Sequence, residues 1–182
     1  MKKLFLATAI AGVLGFSNLN AQTKDVAMTG SKVDIGAEFA FPTGNSSDSY
    51  DFGYGGSLQF QTPIANKLNF TATAGYLNFK GKDIALVGNT TLKVADYGAV
   101  PLKVGARYFL AENFYAGGEL GAAIGTSSGS ETAFIYTPHI GIEFPVADKS
   151  TIDLSARYEA WSGNSKAPSR FVGLRLAYNF GL

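Results

Sequence analysis

The residue best suited to acid–base chemistry in this sequence is its only histidine, His139. Glu119 and Glu143 are the carboxylates that could join it in a metal site, and a serine would be needed for nucleophilic catalysis. His139 and Glu143 share parity, so in an extended strand they point to the same face. One histidine with scattered carboxylates is a weak ligand set. We therefore predict no metal site, and a histidine that fills the protein interior.

A second pattern with catalytic potential is G-T-S-S-G at Gly125–Gly129, which matches G-x-S-x-G. That pattern works where a strand turns sharply into a helix, whereas here it falls between two predicted strands. The sequence has no cysteine, which excludes thiol nucleophiles, thiolate metal sites and disulfides. The formal net charge is +1 and no basic run suggests nucleic acid. We predict a protein without enzymatic activity, cofactor or nucleic-acid partner.

The elements that position these residues are strands. From Lys32 onward, segments of about ten residues alternate apolar with small or polar side chains, and no amphipathic helix interrupts them. Short turns (63–67, 111–113 and 145–149) alternate with longer polar connections. The eight predicted strands are Lys32–Phe41, Phe52–Gln61, Leu68–Tyr76, Val100–Phe109, Phe114–Ile124, Phe134–Phe144, Ile152–Ala160 and Val172–Phe180. An even strand number with alternating short and long connections is typical of an outer-membrane barrel.

The polar face of these strands carries most of the ionisable residues. It holds Asp34, Glu38, Lys103, Arg107, Glu119, His139, Glu143, Asp153, Arg157, Glu159 and Arg175. Such a set is costly in a dry core unless each charge is paired. In a narrow lumen the charges can pair across the barrel while lipid covers the apolar face. Glycines on the same face leave room for the long side chains. We predict an eight-stranded antiparallel up-and-down transmembrane β-barrel over residues 32–182, with a charged, plugged lumen.

The N-terminus reads as a secretory signal peptide at residues 1–21. Lys2 and Lys3 precede an apolar run, Leu4–Phe16, that is shorter than the roughly 20 residues of a membrane-spanning helix. Leu19 and Ala21 occupy the positions read by a signal peptidase, which places the cut before Gln22. Residues 22–31 then form a short periplasmic segment ahead of the barrel.

Three stretches, Gly105–Gly121, Ile152–Gly163 and Phe171–Phe180, resemble the small outer-membrane β-barrels of Gram-negative bacteria, of the OmpA/OmpX type. The resemblance spans essentially the whole mature chain and implies the outer membrane as location. It also implies that the last strand is the signal read by the barrel-assembly machinery, carried by Val172, Leu174, Leu176, Tyr178 and Phe180. Gly181 and Leu182 follow, so the aromatic residue is not terminal as in the family.

The predicted role is envelope-structural or surface-binding, by a monomer embedded in outer-membrane lipid. The contact surface for an extracellular ligand would be Lys80–Gly98, flanked by the connections 42–51, 126–132 and 162–169. A narrow channel for small solutes and a soluble lipocalin-like barrel remain alternatives.

Two A-R-Y copies, at 106–108 and 156–158, lie on strands of opposite direction and are better explained by alternation than by duplication. We also expect Pro138 to cause a bulge or a local break.

Overall fold

The computed structural model describes residues 30–86, 90–126, 130–163 and 168–182. The predicted signal peptide and nearly all of the segment 22–31 lie outside these residues. The elements, in chain order, are β1 (Lys32–Pro42), α1 (Ser46–Ser49), β2 (Tyr50–Ala65), β3 (Leu68–Gly81), β4 (Asp83–Leu86), β5 (Thr90–Lys93), β6 (Tyr97–Phe109), β7 (Phe114–Gly125), β8 (Thr132–Ala147), β9 (Ser150–Ser162) and β10 (Arg170–Gly181). In the described part of the chain, no helix is long and apolar enough to cross a membrane.

Eight of the strands close into one antiparallel barrel in the order β1-β10-β9-β8-β7-β6-β3-β2. The last strand pairs with the first over its whole length, from Lys32 opposite Gly181 to Pro42 opposite Phe171. The predicted eight-stranded up-and-down barrel is therefore confirmed. Short turns at 66–67, 110–113 and 148–149 define one end of the barrel, the turn end. The connections at 43–49, 82–96, 126–131 and 163–169 define the loop end.

Burial follows the predicted two-residue alternation. In β1 and β10 every inward side chain is buried and every outward one is exposed over nearly the full strand. Ile35, Leu58 and Leu176 are each more than half exposed on the outer face. A contiguous apolar exterior of this extent is unstable in water and is the surface that lipid covers. A shallow outer depression of about 420 Å³, where Ala72 and Ala74 lie beside Leu58 and Leu102, belongs to the same apolar face.

The strands extend further toward the loop end than predicted. β3 runs on to Gly81, and β6 begins at Tyr97 instead of Val100. Residues 83–86 and 90–93 do not lengthen these flanking strands. β4 and β5 instead pair with each other in a separate two-stranded sheet, with Ile84 opposite Leu92.

Of the two outcomes expected at Pro138, the structure shows the local break and not the bulge. β8 is continuous across it, and its pairing with β9 skips residues 137 and 138 and resumes at His139 opposite Arg157 in the same register. The missing amide hydrogen of proline explains this local break in the ladder. Register shifts occur at three other places, two near the turn end, between Pro63 and Ala65 and between Pro145 and Ala147, and one at the loop end of β2, between Tyr50 and Gly53.

Candidate functional site

Paired charges fill the middle of the barrel interior. Lys103 Nζ lies 3.0 Å from Glu159 Oε2 and 3.3 Å from Glu119 Oε2. Arg157 binds Glu38 and places its Nε 3.0 Å from Glu159. All of these side chains are buried, so each charge depends on its protein partner rather than on bulk water.

Arg107 connects the charges nearer the turn end. Its Nη1 donates to Glu143 at 3.0 Å and to Asp153 at 3.3 Å, its Nη2 donates to Gln59, and its guanidinium lies 4.2 Å from the centroid of the Tyr115 ring. The Tyr115 hydroxyl donates to Asp153 Oδ2 at 2.6 Å. Where β10 pairs with β1, Arg175 binds Asp34 and places its Nε 3.2 Å from Glu38. The structure thus places the ten predicted luminal Asp, Glu, Lys and Arg side chains inside the barrel, each within ion-pair distance of an opposite charge.

His139 lies at the edge of this network, and no serine or carboxylate of the described residues hydrogen-bonds to its ring. Its Nδ1 lies 3.3 Å from the Thr137 carbonyl oxygen, and its ring packs edge-on against Tyr115 at 5.9 Å between centroids. Glu143 does not engage it and instead binds Lys32 at 2.8 Å and Arg107. Among the described residues, no group of three or more potential ligands could hold a metal ion. The G-x-S-x-G stretch at 125–129 lies mainly outside the described residues.

Sequence reasoning missed two parts of the interior. The first is Lys32, buried in the lumen and bonded to Glu143 Oε2. Its parity with Asp34 was the signal that could have found it. The second is an aromatic cluster at the loop end, formed by Phe79, Trp161 and Phe171 with Tyr50 and Tyr97 at its margin.

The aromatic cluster lies across the barrel axis. The centroid of the Phe79 ring lies 5.7 Å from that of Trp161 and 5.2 Å from that of Phe171, although the three residues come from three different strands. Phe79 and Phe171 are fully buried. Trp161 Nε1 donates to Glu159 Oε1 at 2.7 Å, which links the aromatic cluster to the charge network beneath it. Between the charges lies a cavity of about 20 Å³, room for about one water molecule.

The connections of the loop end are held to one another by polar contacts. Ser46 Oγ in α1 accepts the backbone N–H of Ser169 at 2.8 Å, and Lys82 Nζ donates to the Ser47 carbonyl oxygen at 2.6 Å. Lys80 Nζ lies 2.5 Å from Asp96 Oδ2 on the exposed surface. The hydrogen bond from Lys80, followed by that from the Gly81 backbone, lowers the pKa of Asp96 below its usual value.

The closed eight-stranded barrel has known structural counterparts. Neisserial surface protein A superposes with a TM-score of 0.60 at 17% identity, covering 85% of this chain and 98% of the other. The attachment invasion locus protein Ail of Yersinia pestis gives a TM-score of 0.55 at 16% identity, covering 84% and 99%. The outer membrane protein OprG from Pseudomonas aeruginosa gives 0.52 at 14% identity, covering 84% and 94%.

The chain folds as an outer-membrane β-barrel. At these identities the likeness concerns the fold, and the predicted location in the outer membrane agrees with that fold and with the apolar exterior of the strands. The sequence matches no protein-family model, and it matches no curated protein.

Proposed function

We propose that the protein is a non-conducting, non-enzymatic barrel of the outer membrane that acts through its loop end, in an envelope-structural or surface-binding role. The observation that carries this proposal is the filling of the lumen, where Arg107 and Arg157 bind carboxylates and Phe79, Trp161 and Phe171 occupy the axis above them. A pore needs a continuous file of water, and a void of about 20 Å³ holds about one molecule. In the described part of the chain no hydroxyl or carboxylate hydrogen-bonds to the His139 ring, which does not favour a hydrolytic function.

Single-channel recording in a planar bilayer separates this proposal from the narrow-channel alternative. We expect no steady conductance from the intact protein. The variants Arg107→Gln and Arg157→Gln test the lumen directly, because each removes one charge that lies against buried carboxylates. A steady conductance whose size or ion selectivity changes in either variant would establish a channel. Release of the protein into the soluble fraction without detergent would instead contradict the membrane assignment.

The loop end does not favour a polyanionic ligand. The structure of Ail in complex with sucrose octasulfate, a heparin analogue, shows that a barrel of this fold can bind one. In this chain the connections 42–51, 80–98, 126–132 and 162–169 together carry five acidic residues and four lysines. Lys80 and Lys82 already lie against Asp96 and Asp51. We expect no retention on a heparin column at physiological salt, and salt-sensitive retention would contradict this expectation.

The terminal strand is proposed to be the segment read by the barrel-assembly machinery. Tyr178 and Phe180 stack on its outer face, with ring centroids 4.7 Å apart, and both point away from the barrel interior. An outward aromatic pair near the turn end of the closing strand is accessible to a partner from outside the barrel wall. A truncated chain that lacks residues 178–182 should fail to assemble in cells, and its normal assembly would contradict the proposal.

A further inference from the structure

The two hairpins β2–β3 and β8–β9 are alike in detail. β2 spans residues 50–65 and β8 spans residues 132–147, so the strands have equal length and lie 82 positions apart. With the same offset their pairings coincide, since Gly53 faces Phe79 and Ile135 faces Trp161. Both hairpins also change register at the same place, between Pro63 and Ala65 and between Pro145 and Ala147, although β2–β3 has a further shift between Tyr50 and Gly53. A shared bulge is a specific feature, because it fixes register and strand twist.

The sequences of these hairpins match at the same offset. The turn Pro63-Ile-Ala-Asn-Lys67 corresponds to Pro145-Val-Ala-Asp-Lys149. On the outer face, Tyr54 and Tyr76 correspond to Tyr136 and Tyr158. Inside, Phe79 corresponds to Trp161, and the two rings contact each other across the barrel axis.

The flanking strands extend the correspondence to half of the barrel. β6 and β10 correspond at an offset of 72. Leu68 of β3 faces Tyr108 of β6, and the corresponding Ser150 of β9 faces Phe180 of β10. The Phe109 amide donates to the Lys67 carbonyl oxygen at 2.8 Å, and the Gly181 amide donates to the Lys149 carbonyl oxygen at 2.6 Å. β1 and β7 correspond at an offset of 81, which aligns Gly36 and Glu38 with Gly117 and Glu119.

The interior charges obey the same equivalence. Lys103 and Glu119 lie 3.3 Å apart, and their counterparts Arg175 and Glu38 lie 3.2 Å apart. The change in offset from 82 to 72 means that the first half has ten more residues between β3 and β6. The β4–β5 hairpin accounts for them, because the second half has a short connection at this point. The two halves are joined by the pairing of β10 with β1 and by the pairing of β6 with β7. The registers of these two pairings differ by two residues, a shift that keeps every side chain on its own face.

We infer that the barrel consists of two copies of one four-stranded unit, β1–β2–β3–β6 and β7–β8–β9–β10, and that β6 is a second strand recognised during assembly. Leu102, Val104, Tyr108 and Leu110 of β6 align with Leu174, Leu176, Phe180 and Leu182 at the end of the chain. Tyr108 and Phe180 are equally exposed on the outer face, 48% and 49%. Ala106 stands where β10 has Tyr178, so β6 shares with β10 the outward aliphatic positions and one of the two outward aromatics that a receptor for the terminal strand would read. This inference rests on the role proposed above for the terminal strand.

The test compares assisted with spontaneous folding of the full chain. Tyr108→Ala, Phe180→Ala and Phe60→Ala are folded into vesicles with and without reconstituted barrel-assembly machinery, and the rate is followed by heat-modifiable gel migration. Phe60 is the matched control, since it is an outward aromatic near the turn end with 38% exposure but belongs to β2. We expect Tyr108→Ala and Phe180→Ala each to lower the ratio of assisted to spontaneous rate roughly fivefold, the change that about 1 kcal/mol of lost binding produces. Phe60→Ala should leave that ratio unchanged.

The outcomes separate the two proposals. If Phe180→Ala lowers the ratio and Tyr108→Ala does not, β6 is not a recognition strand and the inference is wrong. If all three variants lower it alike, the machinery responds to any lost aromatic, and the inference is wrong as well. If Phe180→Ala has no effect on the ratio, the role proposed for the terminal strand fails, and a second recognition strand fails with it.

Discussion

Arg107 shows at the residue scale how the barrel keeps ionised side chains away from bulk water. It is buried and contacts Glu143, Asp153 and Gln59, and it lies over the face of Tyr115. Removing charges from water costs several kcal/mol each, so these groups are tolerated only because each faces an opposite charge. Lys80 and Asp96 form a shorter ion pair, 2.5 Å, but it lies on the exposed surface, where solvent screens the attraction.

Neutralising Arg107 should therefore destabilise the barrel far more than breaking the surface pair. We expect Arg107→Met to lower the free energy of unfolding by about 3–5 kcal/mol, because Glu143 and Asp153 lose a buried counter-charge. Lys80→Met is the matched control, with little or no expected loss, because solvent screens this exposed pair. Urea unfolding in lipid vesicles measures both. Equal losses would show that water enters the lumen and replaces the ion pair.

Gly36 faces the lumen directly beside a guanidinium group. A Cβ at this position would lie 2.9 Å from the Nε, Cζ and Nη2 atoms of Arg175, which is held by Asp34 and Ser57. We expect Gly36→Val to cost about 1–3 kcal/mol through overpacking. Gly118→Val is the control, because Gly118 points outward and its nearest neighbour would be the Thr137 carbonyl oxygen at 4.0 Å. If the two substitutions have the same effect, Arg175 is free to move and the lumen is loosely packed.

Asp96 gives a pH dependence outside the membrane. Its lowered pKa means that the contact with Lys80 stabilises the folded state above the ordinary pKa of an aspartate. That contribution is lost as the pH falls through the folded-state value. In Lys80→Met the pKa of Asp96, measured by NMR titration, should move up toward the ordinary value. An unchanged titration would show that the hydrogen bond from the Gly81 amide, 3.1 Å from Asp96 Oδ1, is sufficient by itself.

At the element scale, odd-numbered and even-numbered residues of a strand point to opposite faces, and only one of these faces contacts lipid. Leu174 lies mid-strand in β10 with its side chain outward, while its neighbours Gly173 and Arg175 face the lumen. Leu182 lies beyond the end of the same strand and is the more exposed of the two leucines. The cost of a charge on the outer face should therefore depend on depth in the bilayer.

Leu174→Arg should impair assembly, because it places a charge in lipid at a cost of about 2–4 kcal/mol near the midplane. Leu182→Arg, the same change at the end of the barrel, should cost about 0–1 kcal/mol. Yield of heat-modifiable protein in outer-membrane fractions measures the difference. Normal yield and stability of the Leu174 variant would contradict the assignment of faces.

The number of strands, the face to which each side chain points and the closure of the barrel can be predicted from the sequence. The reason is that outward apolar residues alternate visibly with inward ones wherever the inward side chains are polar or small. The aromatic cluster could not be predicted this way, since at the loop end inward residues such as Phe79 and Ile135 are as apolar as their outward neighbours. The two-residue period fades there, and the predicted strands ended early, at Tyr76 and Ala160. The β4–β5 hairpin was missed for a different reason. Its alternation is real, but alternation does not specify which strand is the partner.

For the molecule as a whole, the closed barrel is complete without the β4–β5 hairpin. Every barrel strand has two hydrogen-bonded neighbours, whereas β4 and β5 pair only with each other in the described structure. Removing residues 83–92 deletes most of the hairpin and keeps Lys82, Val94, Asp96 and Tyr97. The retained residues include the ion pair of Lys80 with Asp96, the packing of Val94 on the aromatic cluster, and the ring of Tyr97.

We expect the 83–92 deletion to leave folding yield and thermal stability close to those of the full chain, because no barrel ladder loses a partner. Phe79→Ala is the contrasting change within the barrel, and it should cost about 3–5 kcal/mol through the cavity left among Tyr50, Trp161 and Phe171. Thermal unfolding followed by heat-modifiable migration compares the two variants. If the deletion destabilises the protein as strongly as Phe79→Ala, the hairpin belongs to the folding unit. If it does not, a loss of surface binding in the deletion variant can be assigned to the hairpin itself.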